Sequence, residues 1–122
     1  TRGAEIHASV KPGTDDPLIQ KNYPNSFRET TLFDALTNAQ VDNLVICGAM
    51  SHMCIDATTR AAADLGFQCT LIHDCCATRN LDFGTQKVLA EEVHAAFMAA
   101  LSAAYAKVIA YQDYIAMMKN YE

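Results

Sequence analysis

The residue best suited to chemistry in this 122-residue sequence is Cys54. A short apolar run from Leu44 to Cys47 ends at Gly48, and an amphipathic helix that closes at Gly66 begins a few residues later. Cys54 therefore lies at the turn between a buried strand and the N-terminus of a helix. The unpaired N–H groups and the positive end of the helix dipole favour a thiolate there, and the thiolate is the nucleophilic form of cysteine. The pattern predicts a cysteine nucleophile.

The composition predicts one globular domain over residues 1–122 and excludes several kinds of partner. Hydrophobic residues make up 51% of the chain and charged residues 19%, which suits a packed core. The formal net charge is -5 and Lys and Arg form no cluster, so we expect neither nucleic acid nor a membrane surface as a partner. The apolar runs are too short and too interrupted to span a bilayer.

The cysteines and histidines argue for reduced thiols rather than for disulfides or a metal site. Five cysteines are present, an odd number that fits a disulfide framework poorly and favours a cytoplasmic location. The four histidines are scattered and no Cys-x-x-Cys pair occurs. We therefore expect no metal site to be built from this chain alone.

The hydrophobic pattern alternates strands with helices. Strands are predicted over 18–21, 43–49, 68–73 and 107–110. Helices are predicted from Thr30 or Thr31, from the Cys54 turn to Gly66, over 89–105 and from Asp113, with loops over 1–16 and 74–84. Such alternation predicts an α/β fold, a Rossmann-like three-layer α-β-α arrangement around a parallel sheet. Because sites of such sheets lie beyond the carboxyl ends of the strands, Lys21 and Cys54 are expected at the same edge.

Three segments resemble the isochorismatase-like hydrolases, a superfamily that includes nicotinamidases and N-carbamoylsarcosine amidases. Residues 48–55, Gly-Ala-Met-Ser-His-Met-Cys-Ile, are similar to its cysteine signature. Residues 19–32, which contain Ile-Gln-Lys and Ser-Phe, are similar to its lysine segment, and residues 71–77 are similar to the strand after its catalytic helix. The resemblance covers roughly residues 17–110.

The resemblance implies an Asp–Lys–Cys triad in which Cys54 is the nucleophile and Lys21 is the lysine that stabilises its thiolate. It also implies a cis peptide bond between Ala49 and Met50, and an oxyanion hole formed by the backbone N–H groups of Met50 and Cys54. The expected reaction cleaves a C–N bond of a small amide or carbamoyl compound through a cysteine thioester, without a cofactor.

One part of the family pattern is missing. The triad aspartate of the family ends an early strand, and nothing before Lys21 has that form, since Asp15 and Asp16 fall in a loop. We therefore expect the chain to lack N-terminal strands of the fold, and to expose a strand edge that a separate N-terminal segment or a second copy in a homo-oligomer would cover. The alternative interpretation is an incomplete fragment or relic of the fold that acts as an assembly or binding subunit.

Several neighbours of the proposed catalytic groups have more than one interpretation. Phe27, Ser51 and Met53 are candidates for lining a substrate pocket, and Phe27 is also a candidate core residue. Ser51 stands where the family often has threonine. His52 is expected at the pocket rim or a subunit interface, not as a partner of Cys54, and His94 is expected on the polar flank of its helix.

Overall fold

The computed structural model describes residues 2–121. A parallel sheet with covering helices makes up most of the structure. The elements, in chain order, are α1 (Leu32–Asn38), β1 (Asn43–Ala49), a π-helical turn (Ser51–Ile55), α2 (Asp56–Asp64), β2 (Gln68–Ala77), β3 (Leu81–Phe83), β4 (Gln86–Val88), α3 (Ala90–Ala104), β5 (Lys107–Ile109) and α4 (Tyr111–Lys119). Among these described residues, no helix is both long enough and apolar enough to cross a membrane.

The sheet has the order β1-β2-β5 and all of its strands are parallel. Parallel neighbours require crossover connections, which α2 provides between β1 and β2, and α3 between β2 and β5. The α/β class and the parallel sheet predicted from the sequence are thus confirmed. Within residues 2–121, β1 pairs with β2 and with no other strand, so β1 is an edge strand here, as the sequence predicted.

The hydrophobic core lies between the sheet and the two crossover helices. Its buried members are Ile55, the last residue of the π-helical turn directly before α2, Leu71 on β2, and Met98 and Leu101 on α3. Leu71 and Leu101 have no exposed surface. Since these residues come from three elements that are distant in sequence, burying them fixes α2 and α3 against the same face of the sheet.

Gly48 allows the sheet to change register just before the Cys54 turn. Residues 43–46 pair in step with 68–71, but Gly48 pairs with Cys76, so β2 contains extra residues at this point. Gly48 has φ +131, a conformation that side chains with a Cβ rarely adopt. The irregularity re-aims the end of β1 toward the turn that follows.

Gly66 ends the helix that Cys54 begins. Its φ is +98, its N–H donates to the carbonyl of Ala63, and the N–H of Phe67 donates to the carbonyl of Ala62. These bonds form a Schellman motif, which closes the helix and turns the chain into β2. The predicted end of this helix is therefore confirmed.

Three element predictions were wrong. Residues 18–21 form no strand, because no neighbouring strand pairs with them and Leu18 is 70% exposed. Residues 74–84 are not a loop, because β2 continues to Ala77 opposite Ala49 and a β3–β4 hairpin follows. Helix α4 begins at Tyr111 rather than Asp113, because the Asp74 carboxylate accepts a hydrogen bond from the Tyr111 N–H at 2.8 Å.

The same leucine-to-alanine exchange should have different effects on the free energy of unfolding at a core position and at an exposed one. Leu101→Ala should lower the free energy of unfolding by about 2–5 kcal/mol, since it leaves a cavity among Ile55, Leu71 and Met98. Leu18→Ala, at an exposed position, should change it by less than about 0.5 kcal/mol. Urea denaturation followed by circular dichroism measures both, and equal effects would contradict this core assignment.

Candidate active site

Cys54 lies on a π-helical turn at the carboxyl end of β1. The peptide bond between Ala49 and Met50 is cis, at the position that the family resemblance implied. The Met50 carbonyl accepts hydrogen bonds from the N–H groups of Met53 at 3.0 Å and Ile55 at 3.2 Å. The N–H of Cys54, the residue between Met53 and Ile55 in the sequence, forms no hydrogen bond to that carbonyl. Cys54 itself is half-buried and its thiol is free.

The segment that carries Lys21 lies against the helix that follows Cys54. The Lys21 ammonium donates to the carbonyls of Tyr23 at 2.9 Å and Pro24 at 2.8 Å. The N–H of Ser26 donates to the hydroxyl of Thr58 on α2 at 3.0 Å. The predicted cysteine turn continues into α2, and the predicted lysine segment contacts that same helix through Ser26, although residues 18–21 form no strand.

Ser51 is buried and stabilises the turn through hydrogen bonds, which differs from its predicted place in a substrate pocket. It has no exposed surface, and its hydroxyl shares a hydrogen bond of 2.8 Å with Nδ1 of His94 on α3. A second, longer bond of 3.5 Å reaches the Ala77 carbonyl at the end of β2. The hydroxyl therefore joins the turn to two other elements, which explains the need for a small hydroxyl side chain there.

His94 and Thr78 are supporting residues that the sequence analysis missed. His94 lies four and seven residues before Met98 and Leu101, so it shares their buried helix stripe rather than a polar flank. That spacing was the available signal. Thr78 gave no signal in the sequence, yet its hydroxyl lies 2.7 Å from Nδ1 of His52, whose ring also meets Phe97 edge-on. These contacts hold Ser51 and His52, the first two residues of the cysteine turn, against α3 and the segment after β2.

The other two pocket candidates differ in exposure. Met53 is 37% exposed, so its side chain is free to contact a ligand. Phe27 is half-buried and stacks on Phe67, with ring centroids 6.0 Å apart, and Phe33 of α1 meets Phe67 edge-on at 6.2 Å. This aromatic contact matches the core interpretation of Phe27, because it packs the lysine segment against the start of β2.

Three other thiols, those of Cys69, Cys75 and Cys76, have a raised pKa. Burial raises the pKa of Cys69, and it also raises the pKa of Cys76, whose Sγ contacts the Ile72 carbonyl at 3.4 Å. Partial desolvation and the neighbouring Asp74 carboxylate raise the pKa of Cys75. These three cysteines are therefore poor nucleophiles at neutral pH.

No group of three or more His, Cys, Asp or Glu side chains lies close enough to hold a metal ion among residues 2–121. The nearby acidic side chain on α2, Asp56, forms an ion pair of 2.8 Å with Arg60 on the next turn. The reactive groups in this part of the structure are a thiol, an ammonium group and backbone N–H donors.

Comparison with known proteins identifies the family to which this fold belongs. The family model described as the isochorismatase domain matches residues 1–113. The chain belongs to the isochorismatase family. The crystal structure of a putative isochorismatase hydrolase from Oleispira antarctica is 51% identical and superposes with a TM-score of 0.93, covering 95% of this chain and 62% of that one.

Curated relatives extend the comparison. The uncharacterized isochorismatase family protein YddQ of Bacillus subtilis is 50% identical over 108 residues, which cover 88% of this chain and 60% of YddQ. Streptothricin hydrolase of Streptomyces noursei is 40% identical over 81 residues, or 66% of this chain and 32% of that protein. Nicotinamidase 3 of Arabidopsis thaliana and maleamate amidohydrolase of Pseudomonas putida are 28% and 24% identical. The chain thus spans less than two thirds of the length of these proteins.

The buried Ser51 hydroxyl predicts a measurable contribution to stability. Ser51→Ala leaves the His94 nitrogen and the Ala77 carbonyl without this partner, so the free energy of unfolding should fall by about 1–3 kcal/mol. Ser102→Ala is the matched control, because its exposed hydroxyl bonds to the Ala99 carbonyl of its own helix. That variant should change stability by less than about 0.5 kcal/mol in the same urea titration. A silent Ser51→Ala would remove the supporting role assigned to this contact.

The raised pKa values predict a pH profile for alkylation. In the folded protein, Cys69 and Cys76 should react with iodoacetamide at more alkaline pH than in the guanidinium-unfolded protein, because burial disfavours their thiolates and unfolding removes that burial. Mass spectrometry of the two cysteine peptides across a pH series gives both profiles. Coincident folded and unfolded profiles would show that burial has no such effect.

Proposed function

We propose that this protein hydrolyses the C–N bond of a small amide or carbamoyl compound through a thioester on Cys54. The observation that carries the proposal is the position of Cys54, half-buried between the carboxyl end of β1 and the N-terminus of α2, with the Lys21 segment bound to the same helix. A helix N-terminus and a lysine ammonium are two groups that commonly accompany a nucleophilic cysteine.

The proposed reaction has two steps. The Cys54 thiolate attacks the amide carbonyl carbon, a C–S bond forms, the C–N bond breaks, and the leaving nitrogen takes up a proton as ammonia or an amine. Water then attacks the thioester, which releases the carboxylic acid and restores the thiolate. The N–H groups of Met50 and Cys54 are proposed to stabilise the oxyanion, in accord with a Cys54 N–H that is not bonded to the Met50 carbonyl.

The proton transfers require an acid–base group. Of the aspartates before Lys21, Asp15 and Asp16 are both exposed, and the Asp16 carboxylate accepts a hydrogen bond from the Gly13 N–H at 2.8 Å. We assign the role to an aspartate on a segment that pairs with the open edge of β1. Such an addition would place a strand end next to the Cys54 turn, since carboxyl ends of parallel strands share one edge.

The choice of an amide substrate draws on the relatives. Nicotinamidase and maleamate amidohydrolase both carry names that denote hydrolysis of an amide. The exposed apolar side chain of Met53 beside the nucleophile favours a small, weakly charged substrate. The second candidate function, an assembly or binding subunit, is favoured by the unpaired edge of β1 within residues 2–121, and it predicts no dependence on Cys54.

The experiment that separates the two functions is ammonia release by the full-length protein from nicotinamide and maleamate. Cys54→Ala should lower the rate by about a thousandfold or more, because it removes the nucleophile. Cys75→Ala is the matched control, since this exposed thiol forms no hydrogen bond within the described residues, and it should retain parental activity. Turnover that survives Cys54→Ala would overturn the covalent mechanism.

A further inference from the structure

We infer that Thr58 is a positioning residue that sets the Lys21 ammonium relative to the Cys54 thiolate. The inference rests on the proposed function and adds to it the group that holds the lysine in place. Thr58 lies on α2, four residues after Cys54 along one continuous helical segment, whereas Lys21 belongs to a segment without regular secondary structure. A contact between the two segments is therefore needed to define the distance between the reacting groups.

The Pro24 carbonyl joins Lys21 to Thr58. This oxygen accepts a hydrogen bond from Lys21 Nζ at 2.8 Å and another from the Thr58 hydroxyl at 3.3 Å. The ammonium and the helix hydroxyl thus share one acceptor. Any movement of the Pro24 carbonyl away from α2 would move the lysine with it.

Ser26 completes the contact from the other side of Pro24. The Ser26 N–H donates to the Thr58 hydroxyl oxygen at 3.0 Å, and the Ser26 and Thr58 hydroxyl oxygens lie 3.0 Å apart. A hydroxyl has one donor and two acceptor sites. The single Thr58 O–H is shared between the Pro24 carbonyl and the Ser26 hydroxyl oxygen, and the Thr58 oxygen accepts from the Ser26 N–H, so all three contacts of this hydroxyl are with the lysine segment.

The two hydrogen bonds of Lys21 leave one of its N–H donors unused by these carbonyls. An ammonium group has three N–H donors, and two of them are bonded to the Tyr23 and Pro24 carbonyls. The third donor is available for the nucleophile. Because Cys54 and Thr58 are one helical turn apart and lie on the same side of the helix, the segment bound at Thr58 faces the cysteine.

The adjacent residue supplies a matched control. Thr59 is fully buried, and its hydroxyl has no hydrogen-bond partner in the described part of the chain. Thr58→Val and Thr59→Val are the same isosteric exchange at neighbouring positions of α2. The first removes a hydroxyl with three contacts to the lysine segment, and the second removes one with none.

The test is the rate of Cys54 alkylation by iodoacetamide at neutral pH in the full-length protein, read by mass spectrometry of the Cys54 peptide. We expect Lys21→Met and Thr58→Val each to slow this reaction about three- to tenfold, because each removes support for the thiolate. Thr58→Ser keeps the hydroxyl and should restore the parental rate to within about twofold, as should Thr59→Val. Circular dichroism melting curves check that each variant is folded, and Thr58→Ala replaces Thr58→Val if the latter is not.

The outcomes distinguish a failure of the role of Lys21 from a failure of the role of Thr58. A parental rate in Lys21→Met overturns the role of Lys21 in the proposed function, and this inference with it. A slow Lys21→Met beside a parental Thr58→Val overturns the inference alone. A Thr58→Ser variant as slow as Thr58→Val also overturns it, because loss of packing rather than of the hydroxyl would then be responsible.

Discussion

The constraint on which this structure depends is the short reversal between β1 and α2. Parallel pairing of β1 with β2 requires the chain to leave the end of β1, cross the sheet as a helix and return. The reversal takes place between Gly48, with φ +131, and Ile55, which is buried in the core. Cys54 lies immediately before that buried anchor, so packing of the core determines where the thiol stands.

The turn is held by polar contacts that reach forward in the sequence. Ser51 is bonded to His94 on α3, and His52 is bonded to Thr78 just after β2. Both partners belong to the part of the chain between β2 and the end of α3, so formation of the second crossover also fixes the first turn. Ser51 is fully buried, and replacing it would remove the hydrogen-bond partner of His94 Nδ1.

The sequence predicted the elements that local patterns specify, and it did not predict the contacts between residues that are distant in sequence. Residues 43–49 and the helix closed at Gly66 were predictable, because an apolar run and a helix stop signal are local patterns. Residues 18–21 were mistaken for a strand, because a strand needs a neighbour and a short apolar pattern does not show whether one exists. The contacts of Ser51 with His94 and of Ser26 with Thr58 join residues 43 and 32 positions apart, and pairings of that range leave no local signal.

Regular secondary structure positions one part of the candidate site, and side-chain contacts position the other. Cys54 is positioned by regular structure, since a strand, a helix and buried core residues determine its place. The segment with Lys21 has no backbone pairing to a strand and is held by the Thr58 hydrogen bonds and by stacking of Phe27 on Phe67. Side-chain contacts of this kind depend on one or two atoms, so small substitutions on α2 would alter the geometry of the lysine while leaving the sheet intact. The helical segment that carries Cys54 therefore also holds the segment that carries Lys21.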